Sequence, residues 1–195
     1  MKCIKKFISE STSSKTLLSN FESNYDVDKL ADKINDDLNG VKVTLNINLG
    51  SYNTKLNSIN NYKYNTSSNS MIIGTIIEQA ILSWLKDNEN ITPQFKTNLI
   101  DFDDEDIYSL ADGKLSGNQD VEIKAFSRQI REEDDGYYIN KGIKLTSNQI
   151  NSIKKSVIIL VNYEVKNSEA IIKQIFVKHP NKIIIGSTSI LKILK

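Results

Sequence analysis

Cysteine and histidine each occur once in the 195 residues, and arginine occurs only twice. With Cys3 alone, the chain can form neither an internal disulfide nor a cysteine-based zinc cluster, which fits a reducing compartment. His179 lies far from Cys3 in the sequence, in a segment expected to be a loop. Nuclease schemes that need a histidine and hydrolase schemes that need a cysteine therefore lack support.

The sequence also lacks a charge excess and a long apolar run near its start. The formal net charge of +1 counts mildly against a nucleic-acid partner, although a carboxylate-rich site can mask a basic groove. The opening residues "MKCIKKFISESTSSK" are partly basic but contain no continuous apolar run, so they predict neither a signal peptide nor a spanning helix. We expect a soluble cytoplasmic protein without a membrane partner.

The N-terminal third is expected to be an extension packed on a core domain. Residues 13–38 predict two short polar helices, and "VKVTLNINLG" from residue 41 alternates like a strand with one buried face. Residues 51–70 are rich in asparagine and serine, with little periodicity. We therefore predict an extension over residues 1–68 and a core over residues 69–195.

A long helix is predicted from residue 69 or 70 to Lys86. Its apolar residues recur at helical spacing and surround a lone charge, Glu78. After this helix, residues 94–100 and 106–112 are expected to be strands, "GKLSGN" a turn, and residues 119–126 another strand.

The remaining residues predict further alternation of helix and strand. Residues 127–144 are polar and are expected to leave the sheet, and a helix is predicted over Thr146–Lys155. The run "SVIILVNY" is typical of a central strand covered on both faces, "AIIKQIFV" and "KIIIG" predict two more strands, and "STSILKILK" a terminal helix. The fold class is therefore α/β, with the order helix, three strands, helix, strand from residue 70 onward.

Two acids and a lysine share one face of the strand in "ADGKLSGNQDVEIKAF". Asp120, Glu122 and Lys124 alternate with apolar residues, and nine residues separate Asp112 from Glu122. That spacing is enough for two strand ends and a turn, so a hairpin could return Asp112 to Glu122.

Such an arrangement suits a hard cation. Asp112, Glu122 and the backbone carbonyl of Ile123 would offer oxygen ligands to Mg²⁺, which takes a few protein oxygens at about 2.1 Å and completes its shell with water and phosphate. The metal would polarise a phosphodiester and activate a water. Lys124 faces the same way as Glu122 and could orient that water or stabilise developing charge.

With these residues the sequence resembles the PD-(D/E)XK nucleases, which include most type II restriction endonucleases. Ala111-Asp112 stands in place of Pro-Asp, and Glu122-Ile123-Lys124 matches the terminal E-x-K. The resemblance implies a restriction-endonuclease-like core with a mixed central sheet flanked by helices, over roughly residues 70–180. It also implies that Glu78 on the first core helix completes the metal site.

The function implied by the resemblance is magnesium-dependent hydrolysis of DNA phosphodiesters, with Mn²⁺ as a possible substitute. A small type II restriction endonuclease would cut double-stranded DNA as a homodimer, because palindromic sites mirror two-fold protein symmetry. The alternatives are a resolvase, repair nuclease or nuclease toxin on the same core, or a non-catalytic protein that binds nucleic acid or another partner.

Several residues keep an ordinary structural explanation as well. Glu122 and Lys124 could form an ion pair on a solvated strand face, and Glu78 could be exposed or paired with a lysine. Asp120 could be a second metal ligand, an aid to Lys124, or a solubilising residue. Gln149 matches a helix glutamine of some family members, but with Thr146 it also forms a capping-box pattern, which we prefer.

Basic residues of the polar excursion are candidate DNA contacts. Arg128 and Arg131 follow the E-x-K strand, where related enzymes approach DNA, and Lys141 and Lys144 lie in the same stretch. Arginine binds phosphate or reads guanine bidentately. The acids at residues 132–135 could instead neutralise the arginines or accept hydrogen bonds from cytosine.

Overall fold

The computed structural model describes residues 16–17, 25–44, 68–89, 91–93, 112–115, 119–166 and 169–195. The α-helices in these ranges are α1 (Val27–Leu38), α2 (Ser68–Glu89) and α3 (Ser147–Ile153). The strands are β1 (Thr16–Leu17), β2 (Lys42–Thr44), β3 (Thr92–Pro93), β4 (Gly113–Leu115), β5 (Gln119–Phe126), β6 (Ile130–Glu133), β7 (Gly136–Lys144), β8 (Val157–Lys166), β9 (Glu169–Lys178), β10 (Ile183–Gly186) and β11 (Ser189–Leu194).

The described strands form two sheets. A six-stranded sheet has the order β2-β9-β8-β5-β4-β3, and a five-stranded sheet has the order β1-β10-β11-β7-β6. Within the six-stranded sheet, β5 and β8 pair in parallel while the neighbouring pairs are antiparallel. The expectation of a mixed α/β protein is therefore confirmed.

The strand β8 lies between two hydrophobic cores. Its residues Ile158 and Leu160 pack with apolar side chains of the five-stranded sheet and α3, while Ile159 and its odd-numbered neighbours pack with those of α1 and α2. All five residues from Val157 to Val161 are fully buried. The predicted doubly covered strand is thus confirmed, but a second sheet with α3, and not helices alone, covers its other face.

The helices α1 and α2 were both predicted, α1 as a short polar helix from its start and stop signals and α2 as a long helix from its apolar spacing. In α2, Ile77, Ile81 and Leu85 are fully buried, which places one face of the helix against the six-stranded sheet. At the start of α1, the Asp26 side chain accepts a hydrogen bond from the Lys29 backbone N–H at 3.0 Å, as an N-cap residue does.

Three local predictions are wrong. Residues 16–17 form a strand paired with β10, where a helix was expected. Residues 113–115 form β4, where a turn was expected, because they pair with the start of β5. Residues 189–194 form β11 between β10 and β7, where a helix was expected. In each case strand pairing overrides the local pattern: β1 pairs with the distant β10, β11 with the distant β7, and β4 with the neighbouring β5.

Some predictions concern residues outside the described ranges. These include the strands predicted at 94–100 and 106–111, the strand continuation at 45–49, and Ala111. The described parts of the predicted extension join both sheets, since β1 pairs with β10 and β2 with β9. The division at residue 68 stays a prediction. No helix within the described ranges has the length and apolarity to cross a membrane.

Because Leu160 is fully buried between the two sheets, we expect Leu160→Ala to lower the free energy of unfolding by about 2–5 kcal/mol. Val165 lies on the same strand but is 45% exposed, so Val165→Ala should change it by less than about 0.5 kcal/mol. Urea denaturation of both variants measures this. Equal effects would contradict the placement of β8 between two cores.

Candidate active site

The candidate site lies where β5 extends beyond its neighbour β4. The three residues of β4 pair only with Gln119, Asp120 and Val121, so β4 does not cover this edge of β5 at Ile123 and Ala125. Carboxylate side chains from two other parts of the chain accept the backbone N–H groups of β5 there.

Asp112 and Glu78 each accept one backbone hydrogen bond from this edge. The Ile123 N–H donates to Asp112 Oδ2 at 2.6 Å, and the Ala125 N–H donates to Glu78 Oε1 at 3.1 Å. Glu78 comes from the middle of α2 and is half-buried. The Glu78 carboxylate therefore faces the strand edge, and is neither fully exposed nor simply paired with a lysine.

Asp112 lies immediately before β4 and is only 6% exposed. Its own N–H donates to the Val121 carbonyl at 2.9 Å. The β4–β5 register pairs Gly113 with Val121, and its continuation places Asp112 opposite Glu122. The nine-residue spacing thus allows the hairpin to bring the two acids together. The strand that pairs with β5 begins at Gly113, however, whereas the sequence predicted a strand that ends at Asp112.

Glu122 and Lys124 project together from one face of β5. Lys124 Nζ lies 2.8 Å from Glu122 Oε1, and the side chains are only 15% and 4% exposed, respectively. This ion pair joins residues of a single strand and is buried, which contradicts the alternative of a solvated strand face. The Ser152 hydroxyl of α3 donates to the other oxygen, Glu122 Oε2, at 3.1 Å.

The cluster carries more negative than positive charge. Three carboxylates and one ammonium leave two excess negative charges when all four are ionised. Burial raises the pKa of Asp112 to about 7; the positive charge of Lys124 opposes this increase, while Glu122 and Glu78 add to it. Burial likewise raises the pKa of Glu78. An added cation would relieve this imbalance.

Lys124 is held in its charged form. Burial by itself lowers the pKa of Lys124, but the charges of Glu122, Glu78 and Asp112 outweigh burial and raise the pKa above its ordinary value. The direction of this shift favours the ammonium form of Lys124, which donates hydrogen bonds, in the metal-free cluster.

The donor set suits magnesium, which takes one or two protein carboxylates and keeps several waters. Asp112 and Glu122 supply such carboxylates. In a strand the carbonyl and N–H of one residue point to the same edge, so the Ile123 carbonyl faces the edge that Asp112 caps. Among the described residues, no group of three or more His, Cys, Asp or Glu side chains could hold a metal ion. The fit therefore rests on two carboxylates and a carbonyl.

Asp120 has a different partner. Its carboxylate lies 2.6 Å from Lys114 Nζ, directly across the β4–β5 pair, and both side chains are 35% exposed. Lys124 instead pairs with Glu122. This geometry favours a cross-strand ion pair over a role as metal ligand or as an aid to Lys124.

The four predicted DNA-contacting residues are exposed and, within the described ranges, form no ion pair with the carboxylate cluster. Arg131 forms an exposed ion pair with Glu133 at 2.6 Å and lies 5.4 Å from the Tyr138 ring centroid, so one of the neighbouring acids pairs with this arginine. Arg128 Nη1 donates to the Ser127 carbonyl at 2.9 Å.

Lys141 and Lys144 belong to β7, in the five-stranded sheet. Lys141 has a φ of 62°, a left-handed conformation that a lysine rarely adopts, and it directly precedes Gly142 with a φ of 61°. The β7–β11 register shifts across this point. Lys141 therefore lies at an irregularity of the strand.

The contact from α3 to the candidate site is made by Ser152 and not by Gln149. Gln149 is engaged in a capping box with Thr146, as predicted: the Thr146 N–H donates to Gln149 Oε1 at 2.9 Å. Ser152, three residues further on, reaches Glu122 instead. Its role depends on how α3 packs on β5, and no local sequence pattern reports that contact.

Comparison with protein-family models, curated proteins and solved structures finds no significant match to this chain.

The raised pKa of Asp112 predicts a pH-dependent stability of the metal-free protein. Between the ordinary pKa of 3.8 and about 7, the folded protein holds a proton that the unfolded chain releases. Stability from this group is therefore complete at low pH and is lost as the pH rises through about 7. The expected fall in unfolding free energy is on the order of 1–4 kcal/mol, measured by urea denaturation at several pH values.

Asp112→Asn is the matched variant, because its amide oxygen can still accept the Ile123 N–H. Its unfolding free energy should change much less between about pH 5 and pH 8. A variant as pH-sensitive as the wild type would show that another group titrates.

Proposed function

We propose that the chain is a magnesium-dependent DNA endonuclease of the PD-(D/E)XK type, and specifically a type II restriction endonuclease. The observation that carries the proposal lies at the edge of β5 that β4 does not cover: Asp112 and Glu78 accept the Ile123 and Ala125 N–H groups there, and the buried Glu122–Lys124 ion pair projects from the same segment of the strand. These are the residues that the motif resemblance implies for the site.

Burying a carboxylate to cap the backbone groups of a strand edge costs more free energy than burying a neutral side chain. Asn35 of α1 completes the edge of β9 with a neutral amide: it donates to the Ile175 carbonyl at 2.9 Å and accepts the Ile175 N–H at 3.1 Å. A neutral side chain is therefore sufficient for the structural task. Asp112 and Glu78 cap the edge of β5 although removing their charges from water costs free energy. This supports a role in binding a cation.

The order of elements supports the same proposal. Helix α2 precedes β3, β4 and β5, and α3 precedes β8, which pairs in parallel with β5. This is helix, three strands, helix, strand, with the β6–β7 hairpin inserted before α3. The restriction-endonuclease-like core is thus our interpretation of a mixed α/β fold.

Each residue has a distinct task in the proposed reaction. Asp112, Glu122 and the Ile123 carbonyl would hold Mg²⁺ or Mn²⁺, with Glu78 next to them. The chemistry supplied by the bound metal is polarisation of the phosphodiester and activation of a water. Lys124, fixed as an ammonium by Glu122, donates hydrogen bonds to the attacking water or to a phosphate oxygen as negative charge develops there.

The proposed substrate is double-stranded DNA, cut by a homodimer in which each protomer cleaves one strand. Arg128 is the best placed of the four predicted contact residues, because it follows β5 by two residues and its N–H donates to Asn162 of β8 at 3.3 Å. Phosphate contacts from such a position would orient the duplex without reading sequence.

Cleavage of plasmid DNA with Mg²⁺ tests the proposal. We expect discrete fragments from the wild-type protein, and a loss of at least about 100-fold in rate for Lys124→Met and for Glu122→Gln. Circular dichroism and urea denaturation should show both variants folded.

Asp120→Asn is the control, since it lies on the same strand but pairs with Lys114; it should keep its rate within about threefold of the wild type. Smeared products or a preference for branched DNA would favour a resolvase, repair nuclease or toxin. Binding of DNA without cleavage in Mg²⁺ or Mn²⁺ would favour the non-catalytic alternative and refute the proposal.

A further inference from the structure

The contact between Ser152 and Glu122 joins α3 to the proposed site. Ser152 Oγ lies 3.1 Å from Glu122 Oε2, while Lys124 Nζ lies 2.8 Å from Glu122 Oε1. Each oxygen of the Glu122 carboxylate therefore has its own partner, the Ser152 hydroxyl for Oε2 and the Lys124 ammonium for Oε1. Each ionised oxygen has two acceptor positions, so these contacts fix the carboxylate plane without exhausting its ability to bind a cation.

Ser152 is itself held in place by its helix. The capping box of Thr146 and Gln149 fixes the start of α3. At its end, the Ser156 hydroxyl donates to the Ser152 carbonyl at 2.9 Å, and Ser156 is fully buried. Ile153, next to Ser152, is also fully buried. A seven-residue helix anchored at both ends can hold one hydroxyl at a fixed position.

Lys124 alone would not orient Glu122 for a metal. The ion pair with Lys124 restrains only Oε1 of Glu122, so without a second contact the carboxylate could still rotate about that oxygen. A hydroxyl on a rigid helix removes that freedom, and partners that orient metal ligands typically contribute 10–100-fold to metal affinity or activity.

We propose that Ser152 is a positioning residue that orients Glu122 for binding of the divalent cation. This inference rests on the proposed function. It assigns to α3 a part in the site that neither the E-x-K pattern nor the capping box predicts.

The test measures binding of Mn²⁺ to the 195-residue chain by electron paramagnetic resonance, in the absence of DNA. Ser152→Ala should weaken Mn²⁺ binding by about tenfold or more, and Ser152→Thr, which keeps the hydroxyl, should bind within about threefold of the wild type. Cleavage assays of Ser152→Ala should show a matching rise in the Mg²⁺ concentration for half-maximal rate, with much of the rate recovered at saturation.

Ser147→Ala is the matched control, because Ser147 is an exposed serine at the start of the same helix. It should bind Mn²⁺ like the wild type. If Ser152→Ala binds Mn²⁺ normally, or if Ser147→Ala weakens binding equally, the inference is overturned. If Ser152→Ala does not fold, Ser152→Cys replaces it: this variant keeps the size but donates weakly, so wild-type affinity in it would also overturn the inference.

Failure of the inference and failure of the proposed function are distinguishable. Normal Mn²⁺ binding by Ser152→Ala, together with loss of cleavage in Lys124→Met, would refute the role of Ser152 but not the proposed function. Absence of Mn²⁺ binding by the wild-type protein would refute both the role of Ser152 and the proposed function.

Discussion

The site depends on one electrostatic constraint: three carboxylates and a single ammonium influence one another in a buried region where β4 begins and β5 continues beyond it. Asp112 and Glu78 cap backbone N–H groups of β5, so their positions are fixed by the sheet. Glu122 and Lys124 leave the same strand as an ion pair. Burial makes the excess negative charge costly, which raises the pKa of Asp112 to about 7, and the proposed cation would offset that charge.

The rest of the fold positions this cluster. Helix α2 brings Glu78 from one side of the six-stranded sheet, and α3 brings Ser152 from the side of the second sheet. The parallel pair β5–β8 runs through the centre, with β8 buried on both faces. One edge of β5 is paired with β8, and β4 does not cover the other edge at Ile123 and Ala125, so the strand can hold charged groups there without exposing them fully to water.

The features predicted correctly from the sequence are those that local sequence patterns determine. Start and stop signals identified α1, apolar spacing identified α2, the capping box identified the start of α3, and the unbroken apolar run identified β8. The spacing of Asp112 and Glu122 predicted their meeting. Features set by distant partners were missed: "SILKIL" suits a helix in isolation but pairs with β7 and β10 as a strand, and the contact from Ser152 depends on how α3 packs on β5.

The most direct test of the central claim is the effect of Mg²⁺ on stability at about pH 8, where Asp112 is ionised. The unfolding free energy of the wild-type protein should rise by about 1.4 kcal/mol when Mg²⁺ is present at about ten times its dissociation constant. Asp112→Asn, which lacks the charge but keeps the contact with Ile123, should gain much less. An equal gain in both proteins, or no gain in either, would contradict a cation site at this cluster.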